Sequence, residues 1–374
     1  MNGYPKKKAG KQKAVFYWLG FDFFSWLTVL TRYHFRIGLR QLPVAAAVTA
    51  LSIGQTLLRC IEHLVYGKKI ADTNINEPPV FIIGHWRSGT TLLHELLSLD
   101  TRFTYPTTYE CFTPHHFLVS GPLVRPLIEP VLPAKRLQDD MAIGLDRPQE
   151  DEFALCLLGV ISPYMNYAFP QQMARHGDYF DIEKVKPAER ERWEQALLRF
   201  LKKITLVRPK PIILKSPTHT FRVKTLLRLF PGARFIYIVR NPYEVFLSAL
   251  HSRKAVSRAV CFQQDDFTGL DESVFEVFIR MHETFEKSRG LIPPGQLHTL
   301  RYEDLEKDPV GQLRALYSTL GISDFDSIVP TLNQYLADVA NHKKNKYSLT
   351  AELHSEITRR WGFFIKQYGY DLPE

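Results

Sequence analysis

The sequence predicts an α/β fold: a three-layer domain with a central parallel sheet, preceded by a helical N-terminal segment. Three observations carry that expectation. From Pro78 onward, short apolar runs alternate with stretches of helical periodicity, as the strands of a parallel sheet and their crossover helices do. A Gly- and Thr-rich turn, Gly84-His85-Trp86-Arg87-Ser88-Gly89-Thr90-Thr91, joins the first of those runs to a helix. The residues before about position 70 differ in character, being first basic, then aromatic, then uncharged.

Lys6, Lys7, Lys8, Lys11 and Lys13 precede an aromatic run that holds Phe16, Tyr17, Trp18, Phe21, Phe23, Phe24 and Trp26. The uncharged stretch Gln41 to Leu58 sits at the lower limit for crossing a bilayer, and Pro43, Gly54 and Gln55 weaken it further. An interfacial anchor with Trp18 and Trp26 at an anionic membrane surface is therefore expected ahead of a spanning helix. The alternative is a pair of amphipathic helices packed on the following domain. Beyond it, Val80 to Ile83, Pro211 to Leu214, Arg234 to Val239 and Leu297 to Leu300 read as strands. Helices are expected from near Thr90, over Phe221 to Phe230 (closed by Pro231 and Gly232), from about Tyr243 to Lys254, and over Glu303 to Leu320 before Gly321. The expected division is a helical, membrane-associated segment over 1–70 and one domain over 71–374.

At 374 residues and 45% hydrophobic content the chain can build one large domain plus an accessory segment, so a globular enzyme is the default class. Its formal net charge of +9 favours an anionic partner: nucleotide, polysaccharide, nucleic acid or membrane. Nucleic acid is set aside, because no recognised binding module and no regular interleaving of aromatic with basic residues is present. Cys60, Cys111, Cys156 and Cys261 lie far apart, without a CxxC pair or a companion His spacing. They predict reduced thiols, no metal site and a cytoplasmic setting. No short apolar core with a small-residue cleavage site is seen, so the start of the chain is expected to be retained.

The turn after Val80 to Ile83 has a P-loop-like frame, in which backbone N–H groups converge on a phosphate at a helix N-terminus. A Walker A loop would place Lys where Thr90 stands, and a nucleotide triphosphatase would want a strand ending in Asp to organise magnesium. Here the strand Phe235 to Val239 runs into Arg240. Both departures count against ATP or GTP hydrolysis. Arg240 at a strand's carboxyl end can fork onto a phosphate, while the Ser248 hydroxyl, about two turns into the next helix, approaches from the other side.

On these two motifs the sequence resembles the PAPS-dependent sulfotransferase family, in the broad branch that includes the protein-tyrosine sulfotransferases and many bacterial enzymes. Arg87 to Thr91 looks like that family's 5′-phosphosulfate loop, and Ile236 to Pro242 with Ser248 looks like its 3′-phosphate motif. The resemblance spans roughly Pro78 to Tyr370 and leaves the first seventy residues unexplained. It implies a donor, 3′-phosphoadenosine-5′-phosphosulfate (PAPS), bound without metal by Arg87, Ser88, Gly89, Thr90, Thr91, Arg240 and Ser248. It further implies that a late basic loop, Lys343-Lys344-Asn345-Lys346-Tyr347, closes over the 3′-phosphate through Asn345 and Lys346.

Sulfuryl transfer to a hydroxyl needs a base for the acceptor and cations for the departing phosphate. Arg87 suits the second task, and so does Lys215, whose setting Leu214-Lys215-Ser216-Pro217 resembles the family's strand-end Lys motif. For the base, Glu110 matches the place of a Glu in the protein-tyrosine branch, at a longer spacing from Arg87. His219 lies near the His of the small-molecule branch, shifted by two positions. The acidic cluster Glu150, Asp151 and Glu152 could also face the acceptor. Glu110 is the first expectation, and the other two stay open. Phe112, Phe117, Phe153, Tyr164, Tyr167 and Phe169 lie where relatives build the acceptor pocket and favour an apolar, lipid-like acceptor, although core packing explains the same rings equally well. Two rival functions remain: a P-loop nucleotide kinase or other phosphotransferase, disfavoured by Thr90 and the missing Asp, and a non-catalytic PAPS-binding membrane-associated protein.

Overall fold

The computed structural model describes residues 17–132, 143–171, 179–339 and 349–370. The chain opens with α1 (Phe23–Arg32) and the long α2 (Leu42–Asp72), then passes through β1 (Val80–Ile83) into α3 (Thr90–Leu97). A helical insert follows: α4 (Thr108–Phe112), α5 (Phe117–Ile128), α6 (Asp151–Leu157), α7 (Met165–Ala168) and α8 (Pro187–Val207). Then come β2 (Ile213–Lys215), α9 (Val223–Leu229), β3 (Arg234–Val239), α10 (Pro242–Val260) and α11 (Leu270–Arg289). The remaining elements are β4 (Leu297–Arg301), α12 (Tyr302–Lys307), α13 (Pro309–Thr319), α14 (Val329–Val339) and α15 (Ala351–Gln367).

The strands pair in parallel in the spatial order β2-β1-β3-β4. Alternating side chains leave a strand on opposite faces, so Phe81, Ile83, Phe235 and Tyr237 enter one core with Trp193, Phe246 and Trp361. Val80, Ile82, Ile236 and Ile238 enter the other, with Leu93, Leu96 and Leu316. This is the expected three-layer α/β arrangement. The connection leaving β1 runs toward β2 and that leaving β3 runs toward β4, so the carboxyl ends of β1 and β3 bound a topological switch point.

Two sequence expectations change locally. The Glu303 to Leu320 helix is divided at Asp308, because Pro309 starts a new helix and the Asp308 carboxylate accepts from Gly311 N at 2.9 Å. Pro43 does not weaken the uncharged stretch, because it occupies the first turn of α2, where a missing N–H costs nothing.

The interfacial placement of Trp18 and Trp26 is overturned. Both are buried, at 4% and 0% exposure, in a third core with Phe112, Leu157, Phe169 and Phe262. Their indole N–H groups are satisfied inside the protein, Trp18 Nε1 by Val260 O at 2.7 Å and Trp26 Nε1 by Thr49 Oγ1 at 2.8 Å. Phe23, at the start of α1, is pinned in the same way through its N–H to Thr56 Oγ1. One edge of α2, carrying Ala45, Val48, Ser52 and Glu62, faces the protein, and the helix packs against α1, α5 and α8.

Candidate active site

The loop after β1 turns on unusual backbone. Gly84 has φ +145°, and a Cβ there would stand 2.4 Å from the Ile238 carbonyl oxygen. Gly89 has φ +97°, and a Cβ there would meet Tyr302 Cδ2 at 2.2 Å. Between them Arg87, a residue with a full side chain, is held at φ +73°. Strain of this kind persists only where the surroundings enforce it, and it clusters at ligand sites. Ser88 Oγ donates to His85 O at 2.7 Å, closing the turn. α3 then begins at Thr90 with no side chain capping it. An uncapped helix N-terminus behind a left-handed turn is a ready anion cradle. Burial pushes the His85 imidazole down to about 4, so it adds no charge to this loop at neutral pH.

The two ends of the switch point meet side chain to side chain. Arg87 Nε donates to Ser248 Oγ at 2.9 Å, and Arg240 Nη1 donates to the Arg87 carbonyl at 3.2 Å. Arg240 also lies 4.3 Å over the Tyr302 ring and ion-pairs with the exposed Glu244. The residues expected to hold the two ends of the nucleotide thus form one connected group.

Lys215 ends β2, almost fully buried. Its Nζ lies 2.5 Å from Glu150 Oε1 and 3.5 Å from Thr91 Oγ1, between a carboxylate and the loop. The other Glu150 oxygen accepts from the Tyr164 hydroxyl. Burial, and then the Glu150 charge, push the Tyr164 phenol well above its ordinary range, so it stays protonated and donates. Asp151 and Glu152 are spent elsewhere. Asp151 Oδ2 meets His219 Nε2 at 2.7 Å and its Oδ1 accepts from Ser216 at 2.7 Å. Glu152 pairs with the fully buried Arg222 and accepts from Ser162 at 2.6 Å and Thr218 at 2.8 Å.

A cleft of about 730 Å³ is lined by Arg87, Thr90, Thr91, Glu150, Tyr164 and Phe153, among others. It also touches Tyr17 and Trp18 from the N-terminal segment. A second cleft, of about 610 Å³, shares Trp86, Arg87, Tyr164 and Tyr167 with it. Phe153, Tyr164 and Tyr167 therefore do wall the first cleft, whereas Phe112 and Phe169 are core and Phe117, also buried, borders only a separate cavity.

The structure does not bring Glu110 to this place. It completes a capping box on α4, where its Oε2 accepts from Thr107 N at 2.9 Å and from Arg208 Nη2 at 2.8 Å. It faces a separate cavity beside Lys69, Arg125 and Arg208. His219 is likewise absent from the cleft, being fully buried with its edge on Phe81 and Trp193. Asn345 and Lys346 fall outside the described residues. Sequence reasoning missed Tyr164 as the partner of Glu150, and it missed the cleft contacts of Trp86, Tyr17 and Trp18. The available signal was a run of three acids opening an otherwise apolar helix, which demands buried partners.

Residues 78–327 match the profile of the Sulfotransferase family. Two proteins named omega-hydroxy-beta-dihydromenaquinone-9 sulfotransferase Stf3, from Mycobacterium bovis and Mycobacterium tuberculosis, are each 44% identical to this chain over 354 residues. The match covers 95% of this chain and 91% of theirs. Among solved structures, sulfotransferase STF9 from Mycobacterium avium aligns with a TM-score of 0.70 at 18% identity, over 99% of each chain. Sulfotransferase STF1 from Mycobacterium tuberculosis H37Rv aligns with a TM-score of 0.57 at 18% identity, over 90% of each chain. At that identity the structural likeness is one of fold.

Proposed function

The chain belongs to the sulfotransferase family, and from that membership we propose that it moves a sulfuryl group from PAPS to the hydroxyl of an apolar, lipid-like acceptor at the cytoplasmic face of an anionic membrane. The observation that carries the site assignment is the single cleft that joins Arg87, Thr90 and Thr91 to Glu150 under aromatic walls. The lipid-like acceptor is supported by those walls and by relatives whose name specifies an omega-hydroxylated menaquinone. The four free cysteines suit a reducing compartment. We take residues 1–70 as an accessory unit and 71–374 as the transfer domain.

The residues present fit the donor: an uncapped helix start, a left-handed loop, and Arg87 hydrogen-bonded to Ser248 beside Arg240. The donor supplies an activated sulfuryl group on a phosphate leaving group. Arg87 and the amides of Ser88, Gly89, Thr90 and Thr91 hold the phosphosulfate, and Arg240 with Ser248 takes the 3′-phosphate. Asn345 and Lys346 remain our proposed lid over that phosphate. Glu150 accepts the acceptor's proton, replacing Glu110 in that role because only Glu150 lines the cleft. Lys215 stands between Glu150 and the loop, placed to neutralise charge on the leaving oxygen.

Calorimetry with adenosine 3′,5′-bisphosphate in a chelating buffer is the test of the donor. Binding is expected without magnesium, since cationic side chains and amides take its place. Affinity that appears only with magnesium would revive the nucleotide kinase. Comparing turnover of an ω-hydroxylated isoprenoid quinone in micelles with that of a water-soluble sugar tests the acceptor, the quinone being the expected substrate.

A further inference from the structure

The outward side of α2 is apolar along most of its length. Leu42, Ile53, Leu57, Ile61 and Leu64 recur at helical spacing on the side opposite Ala45, Val48, Ser52 and Glu62. Ile53, Leu57 and Leu64 are 55%, 63% and 83% exposed. Phe24 on α1 and Leu127 on α5, the helices that pack on α2, are exposed as well. An exposed apolar stripe of this kind marks an interaction surface.

The charges around it identify the partner. Between Tyr17 and Ala71 the carboxylates are Asp22 and Glu62, both buried and both ion-paired, with Arg59 and Lys203 respectively. Exposed cations flank the stripe instead, with Arg36 and Arg40 before α2 and Lys68 and Lys69 in its last turns. An apolar stripe between basic ends, where Arg36, Arg40, Lys68 and Lys69 outnumber Asp72, the one exposed acid of α2, complements an anionic lipid surface. It does not suit a second copy of the chain, because a two-fold contact, parallel or antiparallel, would bring one basic end against another.

We propose that this outward face of α2 is a docking surface for an anionic bilayer, with the helix lying flat in the headgroup boundary. By length and composition Leu39–Asp72 could also cross a membrane. A crossing would pull Glu62 away from Lys203 Nζ, 2.6 Å distant, and bury both charges in lipid unpaired. Lying flat keeps that pair and the packing on α1, α5 and α8. The docking also places the segment that carries Tyr17 and Trp18, which line the cleft beside Glu150, next to the lipid. The inference rests on the lipid-like acceptor, since only such an acceptor is collected at that boundary.

The experiment uses the full chain and vesicles of phosphatidylcholine with or without phosphatidylglycerol. The protein should sediment with the phosphatidylglycerol vesicles, and I53E/L57E/L64E should lower the bound fraction about tenfold or more. Binding of adenosine 3′,5′-bisphosphate should stay unchanged in that variant, which shows that it folds. A polarity-sensitive fluorophore on the exposed Cys60, in a C261S background, should shift to the blue when phosphatidylglycerol vesicles are added. Sedimentation that survives the triple variant, or sedimentation without a fluorophore shift, overturns the proposal. So does a dimer that the triple variant splits while vesicle binding stays as it was. Vesicle docking with no sulfuryl transfer to any hydroxyl would instead leave the docking standing and remove the functional reading.

Discussion

Lys215 Nζ lies 2.5 Å from Glu150 Oε1, and neither side chain has more than a trace of contact with solvent. A buried pair of this kind, whose lysine also reaches Thr91 of the loop, would couple the base we propose to the cation we propose for the leaving group. Replacing Glu150 with Gln should lower kcat by about 10² or more, with nucleotide affinity kept. Glu110→Gln should hold its rate and lose stability, by roughly 1 to 3 kcal/mol, because it weakens a helix cap and the Arg208 pair. Steady-state rates and thermal midpoints on both variants decide; a dead Glu110→Gln beside an active Glu150→Gln would reverse the assignment.

Arg240 should discriminate nucleotides by their 3′-phosphate. Removing a forked, charge-assisted contact costs about 2 to 3 kcal/mol, roughly 30- to 160-fold in affinity. Arg240→Ala should lose that much for adenosine 3′,5′-bisphosphate and far less for its 3′-dephospho analogue. A small loss common to both is expected, since Arg240 also supports the Arg87 carbonyl. Equal losses would make its role purely structural.

The seam between α2 and α8 holds the buried pair Glu62 and Lys203. Burial, against the pull of Lys203, raises the Glu62 carboxyl, and burial lowers the Lys203 ammonium to about 8. Both move toward their neutral forms, so desolvation outweighs attraction. Lys203→Met alone should destabilise by about 3 to 5 kcal/mol by stranding a charge, whereas Glu62→Met with Lys203→Met should fall close to the parent. Chemical denaturation of the three variants completes the cycle, and additive single effects would count against the pairing.

Three buried imidazoles make stability acid-sensitive. Burial pushes His115 down to about 4, as it does His85, and burial together with the His115 and Lys203 charges takes His116 to about 3. An unfolded imidazole titrates near 6.5, so below that pH the unfolded chain takes up protons the folded chain refuses. This contribution is complete above about pH 6.5 and is lost as pH falls from there toward 4, with a slope of up to about 4 kcal/mol per pH unit. Urea midpoints measured across that window should drop steeply; a flat profile would refute it.

The parts of this site that are local in sequence were legible there. β3 was bounded correctly because its run is almost wholly apolar, and the loop from Gly84 to Thr91 could be read because its geometry is set within a few residues. Glu150 could not be singled out from Asp151 and Glu152, since its role depends on Lys215, distant in the chain, and three acids at a helix start look like ordinary capping. The spacing of Trp18 and Trp26 suits one helical face, yet whether that face meets lipid or Phe262 is decided by tertiary packing. The apolar reach of α2 was undervalued for a related reason: between Arg59 and Lys68 its one carboxylate, Glu62, points inward.

Glu150, Asp151 and Glu152 grip one turn at three separate points: Lys215 at the strand end, Ser216 with His219, and Thr218 with Arg222. Three non-collinear contacts fix a rigid body, in the manner of a kinematic mount. The helix that follows Glu150 is thereby indexed to the strand that ends at Lys215, and of the three acids only Glu150 lines the cleft. On the reading we propose, alignment of the reacting groups is inherited from two pairs that lie outside the cleft. On that reading, the walls at Phe153 and Tyr167, which do not bond Glu150, can be reshaped for another hydroxyl without moving the proposed base relative to the donor loop, so acceptor choice and transfer geometry would be separable properties of this fold.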